Sequence, residues 1–169
     1  MAALFAFRCS CCGTIHEGAP SFGYDSPIYY TELSAEERAV ATLTADTCVI
    51  PHQEGADRFV RTVLEVPIHG SEEPFLWGVW VSLSEASFQR CLDTWQAPDP
   101  SDAWFGWFSN RLPWYPNTLN LKTRVRPRNG GLRPYLELER NGHPLAEHWH
   151  GGLTPACAQE IAEHALHKK

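Results

Sequence analysis

The chain has 169 residues and a formal net charge of −6 at pH 7, from fourteen Lys and Arg against twenty Asp and Glu. That length lets one domain bury a core without disulfide staples, and no apolar run approaches the roughly 20 residues of a membrane-spanning helix. The acidic balance argues against generic binding of nucleic acid or anionic membrane over the whole surface.

Ala3 to Arg8 reads as a short first strand. The apolar start has no basic segment ahead of it and meets cysteines instead of a small-residue cleavage site, so a cytoplasmic protein is expected rather than a secreted one. Three of the six cysteines, Cys9, Cys11 and Cys12, then fall within four residues. In Cys9-x-x-Cys12-Gly13 two thiolates can converge on one ion, while Gly13 permits the tight turn, which is the form of a zinc knuckle. A closed structural zinc needs four ligands. Candidates for the others are Cys48, His52 and His16, with Cys48 preferred because thiolates suit such sites and Cys48-x-x-x-His52 can contribute a pair. Two competing readings are free thiols packed under a turn and a redox pair. The redox reading wants a helix after the first thiol, and Gly-Thr-Ile-His has no helical periodicity.

Residues 17 to 30, rich in Gly, Pro, Ser and Tyr, read as an ordered loop. Ser34-Ala-Glu-Glu37 is a capping box that predicts a short helix to about Leu43. A brief strand over Asp46 to Ile50 carries Cys48, and His52 to Ala56 turns. The β-branched run from Arg58 to Ile68 predicts a strand, as does the segment Phe75 to Leu83, whose aromatics suit burial on both faces; these two should pair. Gly78, between Trp77 and Trp80, marks close backbone approach or a bulge. Ser84 caps a helix whose Phe88, Cys91, Leu92 and Trp95 form one apolar stripe facing the sheet. Gln96 to Asp102 is a Pro-rich acidic loop too short to separate domains freely.

The stretch Trp104 to Arg133 concentrates cations and large aromatics. Six of the fourteen cations lie there, namely Arg111, Lys122, Arg124, Arg126, Arg128 and Arg133, with no carboxylate between Asp102 and Glu137. Trp104 to Phe108 suits a strand, Asn110 to Asn117 a loop and Thr118 to Arg126 another strand. In the last, period two puts Lys122, Arg124 and Arg126 on one face. Pro134 to Glu139 is expected to return as a hairpin partner, so that Glu137 and Glu139 neutralise part of the row. The candidate binding surface is therefore Arg111, Trp114, Tyr115, Lys122, Arg124 and Arg126, with the loop carrying Arg111, Trp114 and Tyr115 beyond the reach of strand pairing. Residues 141 to 153 are Gly- and His-rich; His148-x-His150 has the form of a metal pair, but solvated loop histidines are far commoner and that reading is preferred. Thr154-Pro155 opens a terminal helix whose His164 and His167 complement the dipole.

Together these elements predict an α+β single domain over residues 1–169, with a largely antiparallel β-sheet flanked by about three helices and an N-terminal zinc-knuckle-like turn. The cysteine-containing segment 1–56 packs on that core. Cys9-Ser-Cys-Cys-Gly, Ser21-Phe-Gly-Tyr-Asp, Asp46-x-Cys-Val-Ile, Trp77-Gly-Val-Trp-Val-Ser-Leu-Ser and Leu112-Pro-x-Tyr-Pro-Asn-Thr-Leu-Asn-Leu-Lys-Thr resemble a bacterial family of uncharacterised proteins, domain of unknown function 2199. The resemblance spans nearly the whole chain. It implies a bacterial cytoplasmic protein and links Cys48 with the N-terminal cysteines, and it implies no activity.

The function expected is a non-enzymatic binding module with a structural zinc and an acidic protein partner. Arg and Trp favour that reading because each combines contact area with directional bonding. One alternative is single-stranded nucleic-acid binding through residues 104–133, against which the acidic remainder counts. Another is a metal-dependent hydrolase around Cys9, Cys12 and Cys48 with an open fourth position. No nucleophile elbow, phosphate loop, HExxH or dinucleotide fingerprint is present.

Overall fold

The computed structural model describes residues 4–167. At the N-terminal end β1 (Ala6–Arg8) and β2 (Ile15–Glu17) pair antiparallel across the cysteine turn; Ala3, included in the expected first strand, lies outside the described residues. The expected loop over 17–30 carries β3 (Ser21–Gly23) and the one-turn helix α1 (Ile28–Thr31). The capping box forms as read: the Ser34 hydroxyl accepts from the Glu37 amide and the Glu37 carboxylate accepts from the Ser34 amide. The helix it starts, α2 (Ala35–Val40), stops short of Leu43 because β4 (Thr42–Leu43) begins there and pairs with β5 (Thr47–His52).

Then follow β6 (Gly55–Val66), β7 (Phe75–Leu83), α3 (Glu85–Asp93), β8 (Trp104–Phe108), β9 (Lys122–Arg126), β10 (Tyr135–Leu138), α4 (Pro144–Gly151) and α5 (Pro155–His167). The expected pairing of the two long strands holds, running antiparallel from Arg58↔Leu83 to Val66↔Phe75. The expected sheet, however, closes. β7 pairs with β8, β8 with β9 and β9 with β10, all antiparallel, and β10 returns to β6 in parallel at Tyr135↔Val63. The result is a five-stranded barrel, with β5 and β4 extending from one half of β6 and β3 lying parallel on one half of β7. Among the described residues five helices accompany it where about three were expected.

Period two explains how one strand pair serves two cores. Val60, Leu64 and Val66 of β6, with Phe75, Trp77, Val79, Val81 and Leu83 of β7, join the main core. Phe59 and Trp80, on the opposite faces of the same strands, join Cys48 and Ile50 in a second, smaller core roofed by Tyr29, Tyr30 and Leu33. Gly78 marks close approach as expected: a Cβ there would meet the Cα of Gly23, its register partner on β3, at 3.4 Å. Gly106 of β8 is tighter, since a Cβ would come within 2.8 Å of the Ser82 carbonyl.

Two further differences concern helices. In α3, capped by Ser84, Phe88 and Cys91 are buried but Leu92 is exposed, so the apolar stripe is narrower than predicted. The histidines of 141–153 lie not on a loop but on and before α4, whose N-cap is His143; its side chain accepts from the Leu145 amide at 3.1 Å, and Pro144 occupies the first helical position. Ala158, Ile161 and Ala162 of α5 bury against the main core. None of the described helices is long and apolar enough to cross a membrane.

Candidate functional site

The cysteine turn is built by its own backbone. The Cys9 amide donates to the Thr14 carbonyl at 2.8 Å and the Gly13 amide to the Cys9 carbonyl at 2.9 Å, while Gly13 adopts φ 72°. This folds Cys12 and, from β2, His16 back toward the buried Cys9. The potential ligand atoms of Cys9, Cys12 and His16 lie within 4.8 Å of one another. The His16 ring packs against Phe7 at 5.1 Å between centroids and leaves its buried Nε2 without a hydrogen-bond partner among the described residues. Hydrogen bonds from the Thr14 side chain and backbone, then from His16 and Cys9, hold the Cys12 thiol down to about 6, so its thiolate is readily available at neutral pH.

A second triad shares Cys9. The ligand atoms of Cys9, Cys11 and His167 also lie within 4.8 Å, and His167 Nε2 is 3.1 Å from Cys9 Sγ. Helix α5 delivers His167 by its period. Gln159, Glu163 and His167 recur every four residues on one face, and all three meet the turn. Gln159 Nε2 donates to the Arg8 carbonyl at 3.0 Å, and the Ser10 amide and hydroxyl donate to the two Glu163 oxygens at 2.6 and 2.8 Å. Two sets thus lie close enough to hold a metal ion, Cys9 with Cys11 and His167, and Cys9 with Cys12 and His16; His167 shares a set with neither Cys12 nor His16.

Of the metal ligands read from the sequence, Cys9, Cys12 and His16 come together and the other two do not. Cys48 is fully buried in the second core, where burial pushes its thiol up to about 11. That is the setting of an inert packing thiol. His52 lies at the exposed end of β5, 3.5 Å from Asp57. Both belong to β5, and Cys48 falls in the second core whereas Cys9 falls in the main one. His167 and Cys11 are the residues sequence reasoning passed over, and the Gln159, Glu163, His167 spacing was the available signal for the first.

The candidate binding surface divides as sharply. Tyr115 is buried, with its hydroxyl 2.9 Å from His148 Nδ1. Trp114 Nε1 donates to Glu160 at 3.1 Å, and Arg111 pairs with Glu32 at 3.3 Å. Each of the three loop side chains therefore has a partner within the protein, although Arg111 and Glu32 both remain more than half exposed. The predicted hairpin does neutralise part of the basic row, since Arg126 pairs with Glu137 at 2.9 Å. Lys122 and Arg124 remain exposed with no ion pair among the described residues. Across the ladder Arg124 faces Phe105 and Lys122 faces Trp107, aromatics that are 49% and 41% exposed and stack edge to face at 4.8 Å. The alternation of β8 buries Trp104, Gly106 and Phe108 and turns these two rings outward. Glu137 and Glu139 form the far wall of the resulting groove, about 400 Å³.

No curated protein and no solved structure matches the chain. A family model described as "Uncharacterized protein conserved in bacteria (DUF2199)" matches residues 8–153, from the residue before Cys9 through the barrel and α4. The chain belongs to that bacterial family.

Proposed function

We propose that this protein is a non-enzymatic binding module that docks an acidic, aromatic-bearing segment of a partner protein on the outer face of β8, β9 and β10. Its N-terminal end is stiffened by a structural zinc in the cysteine turn, and it works in the reducing bacterial cytoplasm. The observation that carries the reading is the pair Phe105 and Trp107, half exposed beside Lys122 and Arg124, which have no ion pair among the described residues. Exposed aromatics flanked by guanidinium and ammonium groups are the composition of interface anchors. A partner presenting a carboxylate beside a ring fits this groove better than a nucleic-acid strand. A polyanion tracks an extended cationic row, whereas here the row is confined to β9 and is bordered by Glu137 and Glu139.

Isotope-labelled protein titrated with a short peptide containing Glu and Trp should shift resonances of Phe105, Trp107, Lys122 and Arg124. The affinity should fall with salt and drop at least about tenfold in Lys122→Glu with Arg124→Glu, the doubly reversed face keeping its fold. Shifts confined to other surfaces would remove the docking face. Tighter binding of a single-stranded oligonucleotide than of the peptide would transfer the face to the nucleic-acid reading.

A further inference from the structure

The two triads around Cys9 raise the question of which residues complete one site. A tetrahedral zinc, with Zn–S near 2.3 Å and Zn–N near 2.0–2.1 Å, sets a sulfur and a nitrogen ligand about 3.5 Å apart. The separation of 3.1 Å between Cys9 Sγ and His167 Nε2 is close to that spacing before any ion draws the atoms into place. Within the turn, Cys9 and Cys12 converge with His16, whose Nε2 is buried and unpartnered among the described residues. A buried ring nitrogen without a partner costs free energy unless something accepts it, and metal ligation or its second-shell bond does so. Charge separates the remaining candidates. Two thiolates and two neutral imidazoles balance Zn²⁺, whereas adding Cys11 leaves a net anion close to the carboxylates Glu160 and Glu163.

We propose that a zinc ion draws Cys12 and His16 of one triad and His167 of the other together around their shared Cys9, in a closed Cys2His2 clasp that joins the cysteine turn to the end of α5. The residues it links, Cys9 and His167, are 158 positions apart. Cys11 stands outside the set, at the wall of a groove that it shares with Trp114, Glu160, Glu163, His164 and His167 itself. The hydrogen bonds of Ser10 with Glu163 and of Gln159 with Arg8 align the helix before the ion binds, and the ion fixes the last turn. The clasp deepens the structural-zinc part of the function proposed above and is independent of the docking face.

The test uses the full chain under reducing conditions, titrated with Zn²⁺ against a chromophoric chelator and loaded separately with Co²⁺. One ion per chain is expected. The cobalt form should show the visible bands of a four-coordinate tetrahedral site and a thiolate-to-cobalt charge-transfer band that is unchanged in Cys11→Ser and roughly halved in Cys12→Ser. His167→Gln and His16→Gln should each weaken zinc more than about tenfold, beyond what loss of an outer-shell partner costs, with the far-ultraviolet circular dichroism of the barrel retained. Full zinc affinity in His167→Gln, or a charge-transfer band that falls in Cys11→Ser, overturns the clasp while leaving a metal in the turn. A wild-type chain that binds no zinc overturns the clasp and the structural-zinc reading together, and the peptide titration of the docking face stands or falls separately.

Discussion

His148 sits where its surroundings oppose protonation. Burial pushes it below its usual 6.5, and its Nδ1 lies 2.9 Å from the hydroxyl of the buried Tyr115. The unfolded chain binds that proton near 6.5 and the folded chain only at lower pH. The contribution is therefore complete above about 6.5 and is lost as pH falls below it. Thermal melts should show wild type losing more stability than His148→Gln between neutral pH and the low fives; equal slopes would place the pH dependence elsewhere. The same contact holds Trp114, which adopts the left-handed φ of 74° and packs edge to face on Tyr115 at 5.1 Å. For a non-glycine residue that backbone costs on the order of 1–2 kcal/mol, offset here by the ring contacts and the bond to Glu160.

Between β8 and β9 the chain is irregular but tied. Asn110 is buried, its Oδ1 accepts from the Trp80 amide at 2.8 Å, and its Nδ2 donates to the Ser26 carbonyl at 3.0 Å. One side chain thereby joins β7, the segment before α1 and the loop after β8. Asn110→Ala strands the Trp80 amide in the core and should cost about 1–3 kcal/mol, read as a lower urea midpoint at unchanged slope. A variant as stable as wild type would mean that another group reaches that amide. Asn110 illustrates what sequence pattern conveys poorly. Period two sufficed for β6, β7 and the outward Lys122 and Arg124, and the Ser34 and Ser84 caps announce their helices, because each signal is local. The loop from Asn110 to Asn117 looked free only because its partners, Glu32, His148 and Glu160, are distant in sequence and lie on elements whose docking no local pattern encodes. Cys48 misled for the converse reason: its residue type suits a ligand, yet its strand position faces Phe59 and Trp80. Barrel closure was hidden for the same cause, since it depends on β10 meeting β6 across the β7, β8 and β9 excursion.

At the scale of the molecule that closure is the weakest joint of the barrel. Where β6 and β7 share nine register pairs, β10 meets β6 at the single pair Tyr135↔Val63, supported by the Val63 amide donating to the Pro134 carbonyl at 2.9 Å. Parallel pairing over so short a length gives little cooperative protection. Hydrogen exchange should find the Val63 amide opening faster than the amides bonded between β6 and β7; matched protection would show that the barrel opens only as a whole. Around this seam runs the wider contact of Cys9 with His167, so one closure is nested inside another. Biosynthesis imposes an order on them. Cys11, Cys12 and His16 follow Cys9 within seven residues, whereas His167 follows the ten strands of the described residues. Helix α5 thus reaches the cysteine turn only after β1 to β10 have been made, and until then a nascent chain carries that turn without the helix that meets it.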